Sequence, residues 1–344
     1  MVRNQNHSQK NSAIKSDFFN LNYSRADFIK LSSIAFLSTT PLLTSTLSHI
    51  ASSFLGSNVT DNSNLHARTF SPSTLRVIPK TGEKVNSVGL GTWQVFDCLG
   101  QTCIDKLSKV YRVLASSGGM IDSSPMYGNS EETIGKIQKK LGYPKGVFFA
   151  TKVWTRGKKS GEEQIKSSMK KMAVNQLDLL QIHNLLDYKT HSITLAELKE
   201  KKVIRYTGIT HYMSSSFNSI EKIMKTDPID FIQIPLSVTT TEATKRILPL
   251  AGQKGIAVII NLPFGGGGLF HKVRNRPLPK IAIDLHCTSW AQLFLKYILS
   301  FPDVTTVIPA TTNPKHMAEN IAAAKAPLPN DIQRKKIISV VNEL

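Results

Sequence analysis

Cysteine is scarce: Cys98, Cys103 and Cys287 are the only three in 344 residues. An odd count without a spaced framework excludes a disulfide scaffold, and no paired cysteines or histidines stand at zinc-finger spacing elsewhere, so no metal site is expected. Cys98 and Cys103 have four residues between them. Buried or free thiols are the expected state, with a single Cys98–Cys103 bridge as the alternative. Acidic residues are also few, since 24 Asp and Glu face 43 Lys and Arg for a net charge of +19. Such a balance raises the question of nucleic-acid binding. No helix-turn-helix, zinc finger or Arg/aromatic interleaving accompanies it. The lysines fall on expected helix faces instead (Lys136, Lys139, Lys140; Lys166, Lys170, Lys171; Lys199, Lys201, Lys202). Solvated faces are the reading, and nucleic acid is not an expected partner. A basic surface still steers anionic cofactors.

A complete Gly-x-Gly-x-x-Gly is missing too. Val88-Gly89-Leu90-Gly91-Thr92-Trp93 has the first two glycines and no third, a weak match to an open dinucleotide-binding sheet. Long apolar runs are absent as well. Leu31–Leu55 is mildly apolar but broken by Ser, Thr and His49, a poor fit to a spanning helix, so no stable membrane insertion is expected. Ahead of it stands Ser24-Arg25-Ala26-Asp27-Phe28-Ile29-Lys30. The order basic, apolar, small-residue is that of a secretory signal. The stretch resembles the twin-arginine export motif, with Ala26 where the second arginine belongs. Export would place the protein in the periplasm; a disordered tail or a single membrane anchor are the alternatives, and without export the chain stays cytoplasmic. Residues 56–72 read as a linker. The expected organisation is a leader and linker over 1–72, one domain over 73–326, and a polar tail with a possible last helix over 327–344.

What is present is a regular alternation. Leu75–Pro79 and Lys84–Asn86 flank Thr81-Gly82 as a hairpin. Buried strands are expected at Ser87–Gly91, Met120–Asp122, Val147–Lys152, Leu177–His183, Ile204–Thr210, Ile229–Ile234, Ile256–Leu262 and Val304–Pro309. Helical periodicity fills the intervals at Cys103–Ser116, Glu131–Leu141, Gly161–Met172, Ile193–Lys201, Ser214–Lys225, Glu242–Lys254, Thr288–Leu299 and Pro314–Ala323. Gly128-Asn129-Ser130 is expected to cap the second helix, with Glu131 and Glu132 favoured in its first turn. This pattern predicts an α/β fold, a (β/α)8 TIM barrel whose bottom the hairpin closes.

Polar groups end successive strands: Asp122, Lys152, His183 and Gln233. In such barrels the C-terminal strand ends carry the chemistry. The turn Ser123-Ser124-Pro125-Met126-Tyr127 can swing a phenol back over Asp122. A phenol is a poor acid near neutrality, and a nearby ammonium stabilises its anion. A carboxylate would hold that ammonium in place. Asp122, Lys152 and Tyr127 thus read as a tuned proton donor, with His183 orienting a carbonyl. No side chain donates hydride, so a nicotinamide is implied.

With these residues in view, the chain from about Val77 to Asn320 resembles the aldo-keto reductase superfamily. Gly89-Leu90-Gly91-Thr92-Trp93, Asp122-Ser123-Ser124-Pro125-Met126-Tyr127-Gly128-Asn129-Ser130-Glu131, Ala150-Thr151-Lys152-Val153-Trp154 and Asp178-Leu179-Leu180-Gln181-Ile182-His183-Asn184 carry the likeness. Ile204-Arg205-Tyr206-Thr207-Gly208-Ile209-Thr210 and Ile308-Pro309 through Glu319-Asn320 extend it. Within the superfamily the chain looks closest to bacterial members with twin-arginine leaders. The resemblance implies reduction of an aldehyde or ketone, a small-molecule carbonyl substrate, and NADPH with NADH as the alternative; no heptad or exposed apolar stripe demands a dimer, so a monomer is expected. It implies Asp122, Tyr127, Lys152 and His183 as the catalytic tetrad. It assigns the cofactor to Gly91, Thr92, Trp93, Asn184, Thr210, His211, Gln233, Leu236, Phe264, Gly265, Gly266, Ala310, Thr311, His316, Glu319 and Asn320. Departures from the pattern are Leu236 for a stacking tyrosine, and Ala310 and His316 where many relatives have Lys or Gly and Arg. These keep a second reading open: a cofactor-binding regulatory protein with little turnover.

Overall fold

The structure, a computed structural model, describes residues 75–344. The leader, the linker and the boundary at 72/73 lie outside the described residues. β1 (Leu75–Val77) and β2 (Lys84–Asn86) pair antiparallel as the expected hairpin. Eight strands follow: β3 (Leu90–Gly91), β4 (Met120–Asp122), β5 (Phe148–Val153), β6 (Leu177–His183), β7 (Ile204–Thr210), β8 (Phe231–Pro235), β9 (Ala257–Asn261) and β10 (Thr306–Val307). They form one sheet in sequence order, every neighbour parallel. Parallel bridges from Val88 to Val307 and from Gly91 to Ala310 join the first strand to the last, which closes the sheet into a (β/α)8 barrel. Gly91 is needed at that seam: a Cβ there would lie 2.8 Å from the Ile308 carbonyl oxygen.

The main outer helices are α1 (Gln101–Ser117), α2 (Ser130–Lys140), α3 (Lys158–Met172), α4 (Tyr188–Glu200), α5 (Phe217–Thr226) and α6 (Ala243–Lys254). The long loop after β9 holds two short helices not expected from the sequence, α7 (Gly268–Lys272) and α8 (Lys280–Asp284). Then come α9 (Trp290–Leu299), α10 (Pro314–Ala322) and α11 (Asp331–Asn342). α11 buries Ile337 and Val341 in the same apolar core as the barrel helices. None of these helices is long and apolar enough to cross a membrane.

Side chains alternate along each strand, so one set points into the barrel and the other toward the helices. Ile121, Leu180, Ile182, Ile209, Ile232 and Ile260 pack outward against helix residues such as Leu107, Ile134, Ile220 and Leu293. Met120, Phe148, Leu179, Tyr206 and Phe231 point inward and form an apolar floor. Ile78 and Val85 of the hairpin pack into that floor and stopper it. The Tyr206 hydroxyl donates to Glu83 Oε2 at 2.5 Å, and Arg205 pairs with Glu83 and Asp178, fastening the stopper to β7 and β6.

Two local expectations are corrected. Cys98 and Cys103 form a disulfide, leaving Cys287 as a free, buried thiol. The chain brings the two Cα atoms to 6.5 Å as it turns from β3 into α1, a proximity no spacing rule reveals. Asn129 sits at the start of α2 without capping it by its side chain. Its amide nitrogen donates instead to Asp97 Oδ1 at 2.9 Å, and its backbone N–H donates to the same oxygen at 2.8 Å.

Candidate active site

Asp122 ends β4, Lys152 stands near the end of β5, and His183 ends β6. All three are buried, and Lys152 is 0% exposed. An ammonium inside a barrel survives only when paired and hydrogen-bonded. Lys152 Nζ donates to Asp122 Oδ2 at 2.5 Å and to the Ser123 carbonyl at 2.7 Å. It also lies 4.9 Å from the centre of the Tyr127 ring and hydrogen-bonds that phenol. Burial works against the charge on Lys152, but the Asp122 carboxylate and then Tyr127 more than offset it, so the ammonium is held above its ordinary pKa.

Tyr127 is half-buried on the turn after β4. Its ring meets the His183 ring edge-on, with centres 5.8 Å apart. The sequence reading expects Lys152 to lower the phenol's pKa. Lys152 does pull it down, but burial pushes harder in the other direction and Asp122 adds to that push, so the net direction is up. The phenol therefore keeps its proton at neutral pH, the state a proton donor needs. His183 is driven the opposite way. Burial, then Lys152 and His211, hold its pKa well below the usual value, so it is a neutral imidazole. Its Nδ1 shares a hydrogen with Ser124 Oγ at 3.0 Å.

The turn that carries Tyr127 is clamped. Gly128 has φ +61°, and a Cβ there would sit 2.3 Å from the Asp97 carboxylate, so any other residue would be strained and would displace Asp97. Asp97 grips Asn129 from one side, and the Thr133 hydroxyl donates to the Cys98 carbonyl beside the disulfide. Sequence reasoning passed over Asp97 and Ser124 because neither belongs to a strand end. It also passed over Gln181. Counting back two residues from His183 would have found it, because alternate strand residues share a face.

The residues expected to meet a cofactor divide into two sets. Thr210, His211, Gln233, Ala310 and Thr311 lie at the C-terminal strand ends and the loops beyond them, and His316 lies in the first turn of α10. The Thr210 hydroxyl donates to Gln233 Oε1 at 3.1 Å. Asn261, at the end of β9, reaches Gln233 Oε1 and the His211 carbonyl through its Nδ2, both at 3.5 Å. The Asn261 Oδ1 is buried and has no partner among the described residues. Burial also pushes His211 down to about 4. Gly265, Gly266 and Gly267 have φ of +58°, +65° and +96°, and nothing lies within 4 Å of where a Cβ would stand on Gly266 or Gly267. Asn313 caps α10 by accepting from the Lys315 N–H, leaving Lys315 and His316 exposed in its first turn. Asn184 adopts φ +52° just past His183. Trp93 is half-buried just past the barrel seam, and Glu319 and Asn320 lie in the later turns of α10.

The second set is engaged by neighbouring protein groups. Thr92 donates its hydroxyl to the Asp122 carbonyl and to Ser123, so it fixes the β4 turn. Leu236 is 0% exposed within the outer apolar core. Phe264 packs against Phe270 and Phe294 with ring centres 4.8 and 6.5 Å away.

A closed parallel barrel with a buried acid–lysine pair, a protonated phenol and a neutral imidazole at one end belongs to the class of carbonyl oxidoreductases. The comparison with known proteins narrows this: residues 87–335 match the Aldo/keto reductase family, and the chain belongs to that family. It is accordingly an NAD(P)H-dependent oxidoreductase acting on carbonyl compounds. It is similar to aldo-keto reductase str7 of Strobilurus tenacellus, at 26% identity over 246 residues, covering 60% of this chain and 72% of that one. The NADH-specific methylglyoxal reductase of Escherichia coli is 24% identical over 300 residues, covering 70% of this chain and 90% of the relative. Among solved structures, an aldo-keto reductase of Klebsiella pneumoniae in complex with NADPH superposes with a TM-score of 0.61 at 20% identity, covering 76% of this chain and 94% of the other.

The residues present fit a nicotinamide dinucleotide. The unpartnered Asn261 Oδ1 can accept from a carboxamide, the open glycine run admits a pyrophosphate close to the backbone, and the α10 N-terminus favours an anion.

Proposed function

We propose that this protein reduces an aldehyde or ketone to an alcohol with NADPH, and that Tyr127 donates the proton. The observation that carries the reading is the Lys152 ammonium, held at zero exposure between Asp122 and Tyr127. A lysine in that position serves no packing need. It stabilises the negative charge that develops on the Tyr127 oxygen as its proton leaves. Asp122 keeps Lys152 charged and in place. His183 stays neutral beside Tyr127 and offers the carbonyl oxygen a second polar contact without competing as an acid. Trp154, with its ring centre 6.3 Å from that of His183, forms one wall. The bound nicotinamide supplies hydride to the carbonyl carbon.

NADPH is preferred over NADH on charge. Lys315 and His316 stand in the first turn of α10, where a phosphate gains from the helix terminus and from the lysine. The disulfide between Cys98 and Cys103 supports export, because such bonds persist in oxidising compartments. Titration of the full chain with NADPH and NADH tests the cofactor. NADPH oxidation with a panel of aldehydes and ketones tests the reaction, with Tyr127→Phe alongside. Turnover that falls about a hundredfold or more in Tyr127→Phe, with nucleotide binding retained, is the expected result. Binding without turnover on any carbonyl would sink the reductase reading.

A further inference from the structure

Gln181 lies in the middle of β6 at zero exposure, between the floor residue Leu179 and His183 at the rim. A primary amide in that place is costly unless its groups are bonded. Gln181 Nε2 donates to Asp122 Oδ1 at 2.9 Å. Gln181 Oε1 accepts from Gln233 Nε2 at 3.1 Å, and that same nitrogen donates to Asp122 Oδ1 at 2.9 Å. The three side chains come from β6, β8 and β4 and meet across the barrel interior. Room for this is made on β7. Gly208 pairs with Gln181 in the sheet, and a Cβ on Gly208 would lie 3.2 Å from Gln181 Cγ. On the other side Gln181 pairs with Lys152. The carboxylate is thus divided between its oxygens. Oδ1 takes two amide N–H groups, and Oδ2 is left for Lys152 alone.

We propose that Gln181 is a positioning residue for the proton donor, acting through Asp122: its amide fixes the carboxylate so that Oδ2 faces Lys152 and holds the ammonium against Tyr127. This rests on the carbonyl-reductase reading for its catalytic consequence, but not for its effect on Lys152. The charged and titratable groups around the cluster are Asp122 on β4, Lys152 on β5, His183 on β6, His211 just after β7 and Tyr127 on the β4 turn. A Gln181 that merely filled space would be replaceable by methionine, which has nearly the same length and no donor.

Three full-length proteins decide the matter: wild type, Gln181→Met and Gln181→Glu. In Gln181→Met, reduction of an aldehyde that the wild type turns over should fall about ten- to a hundredfold in kcat, the loss of one hydrogen bond to a charged group, with little change in NADPH affinity. Gln181→Glu can donate to Asp122 only while its own carboxyl is protonated. Its activity should be nearest wild type at pH 6 and fall progressively toward pH 9, over a range where Gln181→Met is uniformly low. The third readout needs no turnover. In protein carrying isotope-labelled lysine, the Lys152 signal should lose its proton at lower pH in Gln181→Met than in wild type, because a carboxylate less firmly held supports the ammonium less. A wild type that reduces no carbonyl, together with this Lys152 shift, would remove the reductase reading and leave the positioning role standing. A Lys152 titration unchanged in Gln181→Met would overturn the positioning role. So would a Gln181→Met enzyme with wild-type kcat, or a Gln181→Glu profile parallel to wild type. If methionine prevents folding, the Gln181→Glu profile decides alone, since that side chain differs from glutamine in a single group.

Discussion

Two layers of the barrel interior lie two residues apart on the same strands and share almost nothing chemically. On β4 the pair is Met120 and Asp122; on β6, Leu179 and Gln181; on β8, Phe231 and Gln233. The lower members pack as an apolar floor around Phe148 and Tyr206. The upper members form a polar layer in which the amides and the lysine converge on one carboxylate. Both layers are buried, so exposure does not distinguish them. The floor is held by apolar area and tolerates a change of shape at the cost of stability. The upper layer is held by matched charges and donors, and a mismatch there costs both stability and chemistry. Inheritance from the strand is what makes the arrangement rigid: every polar group of the upper layer stands on a residue whose predecessor-but-one is locked in the floor.

The contrast breaks most visibly at Lys152. Lys152→Met leaves Asp122 buried with its ammonium partner gone, which should cost about 3–5 kcal/mol of unfolding free energy along with activity. Chemical denaturation measures it, and Asp122→Asn in the same background should restore part of the loss. In the floor, Phe231→Ala should cost a comparable or slightly smaller amount, about 3–5 kcal/mol, through a cavity. Activity per folded molecule should survive, which initial rates corrected for the folded fraction would reveal; a large loss would show that the layers are not separable. The smallest effect is on acidification. His211 is lowered from 6.5 to about 4 by burial, and His183 is lowered as well. Both bind a proton less readily folded than unfolded, so the unfolded chain takes up protons first as pH falls. Their contribution is complete above about pH 6.5 and is lost progressively toward pH 4. Thermal midpoints between pH 7.5 and 5 should show this decline, and His211→Asn should flatten it.

Much of this was legible in the chain. β6 and β7 run from Leu177 to His183 and from Ile204 to Thr210, the bounds their apolar runs indicate. A buried parallel strand writes itself as a continuous apolar stretch, and its polar terminus is then conspicuous. Asp122, Lys152 and His183 were readable for that reason, and Tyr127 because a short turn leaves it few places to go. The short helices at Gly268–Lys272 and Lys280–Asp284 were not readable. A glycine run with positive φ precedes the first, and five residues are too few to show a period. The Gln181–Asp122–Gln233 cluster joins residues 59 and 111 positions apart, and only the closing of the barrel brings them together.

The stopper formed by Ile78 and Val85 has a further consequence. A barrel sealed below has one wet face, so whatever enters or leaves the polar layer uses the same doorway. That includes protons. Lys152 has no exposed surface, and its neighbours Asp122 and Ser123 are buried as well. On the proposal that Tyr127 donates the proton, its replacement would come through the rim that the alcohol vacates. Recharging the acid and releasing the product are then successive uses of a single port, and slowing traffic at the rim slows both.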